Sequence, residues 1–190
     1  YPDAVDVKGI YNSFFSAAIP VGPEVVPGTY RVTLDYGGTA QEQSFQVTLD
    51  PRREATQAEL QQRFDLLMRI HQAVDRLDTN LNDAIDARDA LEKAMDGKSV
   101  SADQAKAALD RLNDDIDGLV DLRIQSGEGA LVYPGKLRSW LTSIASQIEL
   151  ALVPPTPAMV KVADGYIEDA GAGVASLKSD VEAAHEVLQD

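Results

Sequence analysis

The strongest constraint in the sequence is a run of apolar residues spaced by threes and fours between Thr56 and Asp96-Gly97. This spacing predicts one amphipathic helix, roughly 60 Å long at 1.5 Å per residue. A rod of that length is not stable alone, so other helices have to cover its apolar stripe. The stripe consists of Leu60, Phe64, Leu67, Val74, Leu77, Leu81, Ile85, Leu91 and Met95.

Capping residues and helix stops divide the rest of this region into four predicted helices. Thr56-Gln57-Ala58-Glu59 and Ser101-Ala102-Asp103-Gln104 are capping boxes that begin the first and second helices. Gly127 ends the second helix, Val153-Pro154-Pro155 ends the third, and Thr156-Pro157 begins the fourth. Short links between them favour an antiparallel up-down four-helix bundle.

The fourth helix carries a nearly regular apolar seam that is typical of coiled-coil packing. Such a seam leaves open that the chain self-associates through this helix. Gly165, Gly171 and Gly173 each cost about 1 kcal/mol against alanine in a helix, so they indicate a close helix approach or a weak stretch. The seam consists of Val160, Ala163, Ile167, Ala170, Val174, Leu177, Val181, Ala184 and Leu188.

The first part of the chain carries strand signals instead. Apolar and polar residues alternate over residues 30–35 and again over residues 45–50, with Gly37-Gly38 as the turn between them. A third strand is predicted from Tyr11 to Ile19. An immunoglobulin-like sandwich needs about seven strands, so this section supplies about half of one. Either strands that precede residue 1 complete the sheet, or the helices cover its open face.

The change from strand to helix pattern at Pro51-Arg52-Arg53 predicts two domains. Residues 1–53 form a partial β-sandwich of immunoglobulin or fibronectin type, and residues 54–190 form the helical bundle. The predicted fold class is therefore α+β, mainly α. The chain begins at Tyr1 without a methionine, inside a β-region, so we expect a fragment of a larger protein.

Charge argues against several partners. The chain has 31 acidic and 17 Lys and Arg residues, and the net charge of −14 repels nucleic acid and anionic membranes. No apolar run approaches the roughly 20 residues of a membrane helix, so membrane insertion is not expected. The absence of cysteine excludes a thiol nucleophile or a thiolate metal site.

Few residues indicate chemistry. His71 and His185 lie on different predicted helices without metal-ligand spacing, so we expect structural roles for them. Asp78-Thr79-Asn80-Leu81-Asn82 begins like a calcium loop, but Asp83 stands where an EF-hand has glycine, and the helical pattern disfavours calcium there.

An acidic stripe and a single tryptophan remain. The stripe on the second helix indicates a solvated face, with a cation site or paired carboxylates for glycoside hydrolysis as the alternative. Trp140 is predicted to be a core or inter-helix anchor. We expect no catalytic, cofactor-binding or metal residues, hence no enzyme activity in this chain. The stripe consists of Asp110, Asp114, Asp117 and Asp121.

Short motifs resemble the carboxy-terminal region of bacterial BNR-repeat, sortilin-like β-propeller proteins, which are often labelled glycosyl hydrolases. The motifs extend over most of the chain, although each is short. The segment Pro27-Gly28-Thr29-Tyr30 alone also resembles fibronectin-like and flagellar-hook-cap-like sandwich domains. The motifs include Tyr1-Pro2, Gly22-Pro23, residues 26–34, Phe45-Gln46-Val47, Asp50-Pro51-Arg52, Gln62, Phe64-Asp65-Leu66, residues 133–137 and Pro155-Thr156.

This resemblance implies that a propeller and further sandwich strands precede the chain, and that the protein is exported to the periplasm or the cell exterior. The leading hypothesis is a non-catalytic accessory or interaction module, whose partners are upstream domains, a protein partner or a second copy. The alternative is a hydrolase in which the acidic stripe or the loop Gly127 to Gly135 completes a site on another domain.

Overall fold

A computed structural model describes residues 1–11, 21–52, 54–97, 99–151 and 154–189. It confirms an α+β, mainly α fold in which a two-stranded sheet precedes the helices. The helices α1, α2, α4 and α5 form a bundle, and α3 is a single short turn. The elements are β1 (Gly28–Tyr36), β2 (Thr39–Val47), α1 (Gln57–Asp96), α2 (Ala102–Leu119), α3 (Gly129–Val132), α4 (Leu137–Leu150) and α5 (Pro157–Gln189).

Two of the three predicted helix starts are capped by side chains. The capping box of α1 is complete, because the Glu59 amide donates to the Thr56 hydroxyl and the Thr56 amide donates to the Glu59 carboxylate. At α5, the Met159 amide donates to the Thr156 hydroxyl at 3.2 Å. The predicted box on α2 is wrong, since Ser101 occupies the N-cap position but its hydroxyl accepts no bond from any described backbone amide.

The helices α2 and α4 lie one after the other along α1 and α5. Arg138 at the start of α4 binds Asp78 in the middle of α1, and Arg63 near the start of α1 donates to the Ile148 carbonyl near the end of α4. Therefore α4 runs opposite to α1. Since α2 follows α1 through a short link, it also runs back along α1, and the chain directions are up, down, down and up.

Contacts of α5 with α2 support this order. Arg111 and Asp180 form an ion pair at 3.3 Å, and a Cβ at Gly173 would lie 2.6 Å from Leu119. Thus α5 runs opposite to α2 and parallel to α1. The helix directions therefore do not alternate strictly up and down, as the sequence predicted. Instead α1 and α5 are two long parallel helices, and α2 and α4 lie end to end as a third, interrupted rod that packs against both.

One apolar core runs along the bundle. The first helix buries the stripe that its periodicity predicts from Leu67 through Leu91, and Phe64 and Met95 lie at its less buried ends. The seam of α5 faces this core, where Ala163, Ala170, Leu177 and Ala184 are buried. The other seam positions of α5 are partly buried, so the seam packs within the chain's own bundle.

Residues 1–11 form an extended strap beside α1. The Val5 amide donates to Asp75, and Asn82 holds the strap twice, by accepting from the Lys8 amide and donating to the Asp6 carbonyl. Ala4 and Val7 of the strap are buried in the core. Asn82, which belongs to the calcium-like stretch on α1, therefore fastens this strap.

The sheet is an antiparallel hairpin whose turn is the predicted Gly37-Gly38. Both glycines have positive φ, +59° and +80°, as a two-residue hairpin turn of this type requires. The second strand starts earlier than its alternation suggested and ends at Val47, so Thr48 to Asp50 lie beyond it. Only Tyr11 of the third predicted strand is described, and it is not in a strand; residues 12–20 lie outside the described residues.

Candidate functional site

The hairpin presents an apolar face that the described bundle leaves uncovered. Val32, Leu34, Tyr36 and Phe45 have 54%, 65%, 84% and 50% of their surface exposed. Within the described part of the chain, neither strand packs against a helix. This face carries no charged side chain, although a quarter of the residues in the chain are charged. Its members are Gly28, Tyr30, Val32, Leu34, Tyr36, Thr39, Gln41, Gln43, Phe45 and Val47.

The antiparallel register of β1 and β2 brings side chains from both strands together on this face. Tyr30 is opposite Phe45, and their ring centroids are 6.1 Å apart. A two-stranded hairpin is marginally stable in water unless further strands or a helix cover its apolar side. Exposed apolar patches of this kind are typical of protein interaction sites. The face is therefore a candidate interaction surface.

The opposite face of the hairpin is polar. Arg31 and Thr33 on β1 both reach Glu42 on β2, at 3.4 and 3.3 Å. Gln46 donates to the Thr29 hydroxyl at 3.2 Å. These contacts hold the two strands in register, while the polar face itself remains solvated.

A cleft of about 560 Å³ lies where the hairpin meets the bundle. Its walls come from the residues that flank the hairpin and from the first turns of α1. Near it, the Tyr1 and Phe64 rings lie 5.6 Å apart, and Gln57 donates to the Pro27 carbonyl at 3.1 Å. The lining is Tyr1, Gly22, Pro23, Glu24, Val25, Val26, Pro27, Val47, Thr48, Leu49, Asp50, Leu60, Arg63, Phe64 and Leu67.

Arg63 lines this cleft, and its guanidinium hydrogen-bonds to the end of α4. Its Nε donates to the Ile148 carbonyl at 3.1 Å and its Nη2 to the Glu149 carbonyl at 2.6 Å, while the Glu149 carboxylate lies 3.5 Å away. The side chain is 11% exposed. Arg63 thus ties the end of α4 to α1, and most of its hydrogen-bonding capacity serves the fold.

A buried ion pair, which periodicity did not reveal, lies in the centre of the bundle. Arg138 donates through Nε to both carboxylate oxygens of Asp78, at 2.9 and 3.0 Å, and both side chains are fully buried. Asp6 of the strap lies 3.4 Å from Arg138 Nη2. Burial raises the pKa of Asp78 to about 6, and attraction by Arg138 opposes that rise.

Two carboxylates also meet between α2 and α5. Asp180 is 15% exposed and lies 3.3 Å from Arg111, and burial together with the Asp115 carboxylate raises the pKa of Asp180. Oδ2 of Asp115 is buried and has no hydrogen-bond partner among the described residues. The pair with Arg111 stabilises one end of the bundle and does not line the large cleft.

The structure does not bring the predicted chemical residues together. His71 is partly buried on α1 beside a small cavity of about 70 Å³, whereas His185 is exposed near the end of α5. The residues from Asp78 to Asn82 continue α1 as regular helix, so the calcium-like spacing forms no loop. Throughout the described ranges, no three His, Asp or Glu side chains cluster closely enough to hold a metal ion.

The acidic stripe is shorter than predicted. Asp110, Asp114 and Asp117 are exposed on α2, but Asp121 follows the end of that helix and its side chain is 1% exposed. Its carboxylate accepts from Arg123 at 2.8 and 2.6 Å, and this bond lowers the pKa of Asp121. The placement of Asp121 on the solvated face was wrong, because the helix stops before it and the chain turns inward.

Trp140 links two helices and is not a core residue. Its surface is 48% exposed, and its ring lies 5.8 Å from that of Tyr166 on α5. The inter-helix part of the prediction is confirmed, while the core position is wrong because α4 turns this side of its surface toward solvent.

Comparison with known proteins gives no relative from which a function could be transferred. The chain has no significant match to any family model, to any curated protein or to any solved structure. None of the described helices combines the length and the apolar character that crossing a membrane requires.

Proposed function

We propose that the chain is a non-catalytic accessory module at the carboxy-terminal end of a larger, exported β-propeller protein. In this proposal the helical bundle is a rigid platform, and the hairpin is the element that contacts the neighbouring domain. The exposed, uncharged face of β1 and β2 is the observation that carries the proposal.

The chemistry of that face supports a sheet as its occupant. Alternate residues of β1 present Tyr30, Val32, Leu34 and Tyr36 in one layer, and Phe45 and Val47 of β2 extend it, with Tyr30 against Phe45. Two sheets pack through such layers about 10 Å apart in a sandwich. The resemblance to sortilin-like proteins implies additional sandwich strands before this chain, which would supply the missing sheet.

The bundle is suited to a structural role. The buried Asp78–Arg138 pair joins α1 to α4, and Asn82 fastens the strap to α1. The apolar seam of α5 packs within the chain's own bundle. Arg63, a charged residue of the cleft lining, donates its hydrogen bonds to the end of α4. These features support a module that holds the hairpin in a fixed position rather than one that catalyses a reaction. Export to the periplasm or the cell exterior rests on the resemblance.

The proposal is tested in the natural polypeptide that contains residues 1–190. Leu34→Lys places a charge on the apolar face, and Ala40→Lys places the same charge on the exposed polar face as a matched control. We expect Leu34→Lys to lower the melting temperature of the neighbouring domain or to separate the two unfolding transitions, with little effect from Ala40→Lys. Equal effects of both variants would contradict the docking role.

A second measurement tests the absence of catalysis. The 190-residue chain alone is incubated with a panel of glycans, because the resembling family is often labelled as glycosyl hydrolases. We expect no hydrolysis. Turnover of any member, abolished by substitution of a carboxylate such as Asp114, would overturn the accessory role and favour the hydrolase alternative.

A further inference from the structure

The strand β1 has a sequence that is complementary to itself. Read in either direction from Thr33, it presents Val32 and Leu34, then Arg31 and Asp35, and then two tyrosines. Val32 and Leu34 are branched apolar side chains of similar size, and Arg31 and Asp35 carry opposite charges. An antiparallel partner strand of identical sequence would therefore meet a favourable residue at each position.

The free edge of β1 exposes the backbone groups that such pairing needs. The two-residue turn makes Tyr36 and Thr39 a hydrogen-bonded pair, and the pairs then alternate along the ladder. The amides and carbonyls of Thr29, Arg31, Thr33 and Asp35 consequently point away from β2. Within the described chain this edge is not covered by a helix or by a third strand.

We propose that β1 pairs with β1 of a second copy of this chain, antiparallel and about a two-fold axis at Thr33. Arg31 of each copy then lies opposite Asp35 of the other, Val32 lies opposite Leu34, and the two Thr33 residues meet at the axis. The outcome is a four-stranded sheet in the order β2, β1, β1, β2, with the apolar residues of both hairpins on one side.

Charge disfavours three of the other possible axes. A two-fold axis at Arg31 or at Asp35 sets identical charges against each other, and an axis at Glu42 on the outer edge of β2 does the same. A register shifted by one residue would place apolar side chains beside polar ones. Neither strand packs against a helix in the described chain, and repulsion between the acidic helices of two copies is screened wherever they lie more than about 10 Å apart at moderate salt.

This inference concerns the edge of β1, whereas the proposed function concerns the apolar face, and each can hold without the other. The sheet formed by two copies keeps its apolar face open on one side, available for the neighbouring domain. Pairing also supplies the additional strands that a lone hairpin lacks.

Sedimentation of the 190-residue chain over a dilution series tests the pairing. We expect a reversible monomer–dimer equilibrium. Arg31→Asp and Asp35→Arg each replace two attractive pairs by two repulsive ones and should weaken dimerisation about tenfold or more. An equal mixture of these two variants should dimerise again, because every crossed pair is then attractive. Arg52→Asp is the control for charge, since Arg52 is exposed outside the hairpin.

A backbone variant tests the same edge without altering charge. Thr33→Pro removes an amide that points away from β2, so the hairpin can persist while the pairing edge is blocked. Circular dichroism verifies that the helices are intact. We expect a monomer. A monomeric wild-type chain at every concentration, single charge variants that dimerise normally, or a mixture that stays monomeric would each overturn the proposal.

Discussion

Asp78 on α1 and Arg138 on α4 form an ion pair in which neither side chain reaches solvent. The pair lies where the end of α2 gives way to the start of α4, so it fastens the interrupted rod to the long helix. Asp6 brings the strap to the same guanidinium at 3.4 Å. Three separate segments of the chain therefore meet at one buried charge.

Removal of one partner should be much more damaging than removal of both. Arg138→Met leaves the Asp78 carboxylate buried without its partner, and we expect a loss of about 3–5 kcal/mol in the free energy of unfolding. Asp78→Leu combined with Arg138→Met should recover most of that loss. Lys8→Met is the control, because the Lys8–Asp86 pair is exposed and is worth less than about 1 kcal/mol. Chemical denaturation measures all four proteins; a double variant as unstable as the single one would contradict this view.

The same carboxylate predicts a pH dependence of stability. Its folded-state pKa of about 6 lies above the ordinary value of 3.8, so the folded chain binds the proton more tightly than the unfolded chain. This contribution is fully present below pH 3.8, and it is lost as the pH rises through 6. The unfolding free energy of the wild type relative to Asp78→Asn should therefore increase by at most about 3 kcal/mol between pH 7 and pH 4. A difference that is flat or that decreases would show that the carboxylate stays ionised.

The strap should loosen when Asn82 loses its amide. Asn82→Ala removes both bonds to the strap, and we expect a loss of about 1–2 kcal/mol with faster hydrogen exchange at the Lys8 amide. Asn80→Ala is the matched control, since Asn80 donates to the Arg76 carbonyl of its own helix. Unchanged exchange at Lys8 in the Asn82 variant would mean that the other strap contacts, such as the Val5 amide with Asp75, hold the strap without Asn82.

The glycines of α5 should respond differently to alanine. A Cβ at Gly171 meets no described atom within 4 Å, so Gly171→Ala should stabilise the chain by about 0.5–1 kcal/mol. A Cβ at Gly173 would lie 2.6 Å from Leu119, so Gly173→Ala should lose that gain or reverse it. Adding Leu119→Ala should restore the helix-propensity gain of Gly173→Ala, measured against Leu119→Ala alone. Equal melting temperatures for the two glycine variants would contradict the close approach.

Periodicity predicted much of this fold because burial along a helix repeats at a fixed interval. The stripe from Leu67 to Leu91, the cap at Thr56 and the glycine turn of the hairpin all depend on local rules that neighbouring residues satisfy. The end of α2 before Asp121 depends instead on Arg123 and on the packing that follows, which no local pattern specifies. Local rules therefore predict that a helix or strand exists better than they predict the residue at which it ends.

Long-range partners were hidden for a related reason. Asp78 lies between Leu77 and Leu81 in a stripe that is otherwise apolar, and such an interruption signals a buried charge without naming its partner. Arg138 is 60 positions away, and only the stacking of α4 behind α2 brings the two together. The apolar hairpin face was visible as alternation in residues 30–35, but alternation does not reveal whether a helix covers it.

Hydrogen–deuterium exchange across residues 28–47 tests the central claim, that the hairpin face is the docking surface of an accessory module. The measurement compares the dilute 190-residue chain with the longer natural polypeptide that the proposed function implies. We predict fast exchange of the hairpin amides in the chain alone and strong protection of the same amides in the natural polypeptide, with α1 equally protected in both. Equal exchange of the hairpin in the two samples would contradict the claim.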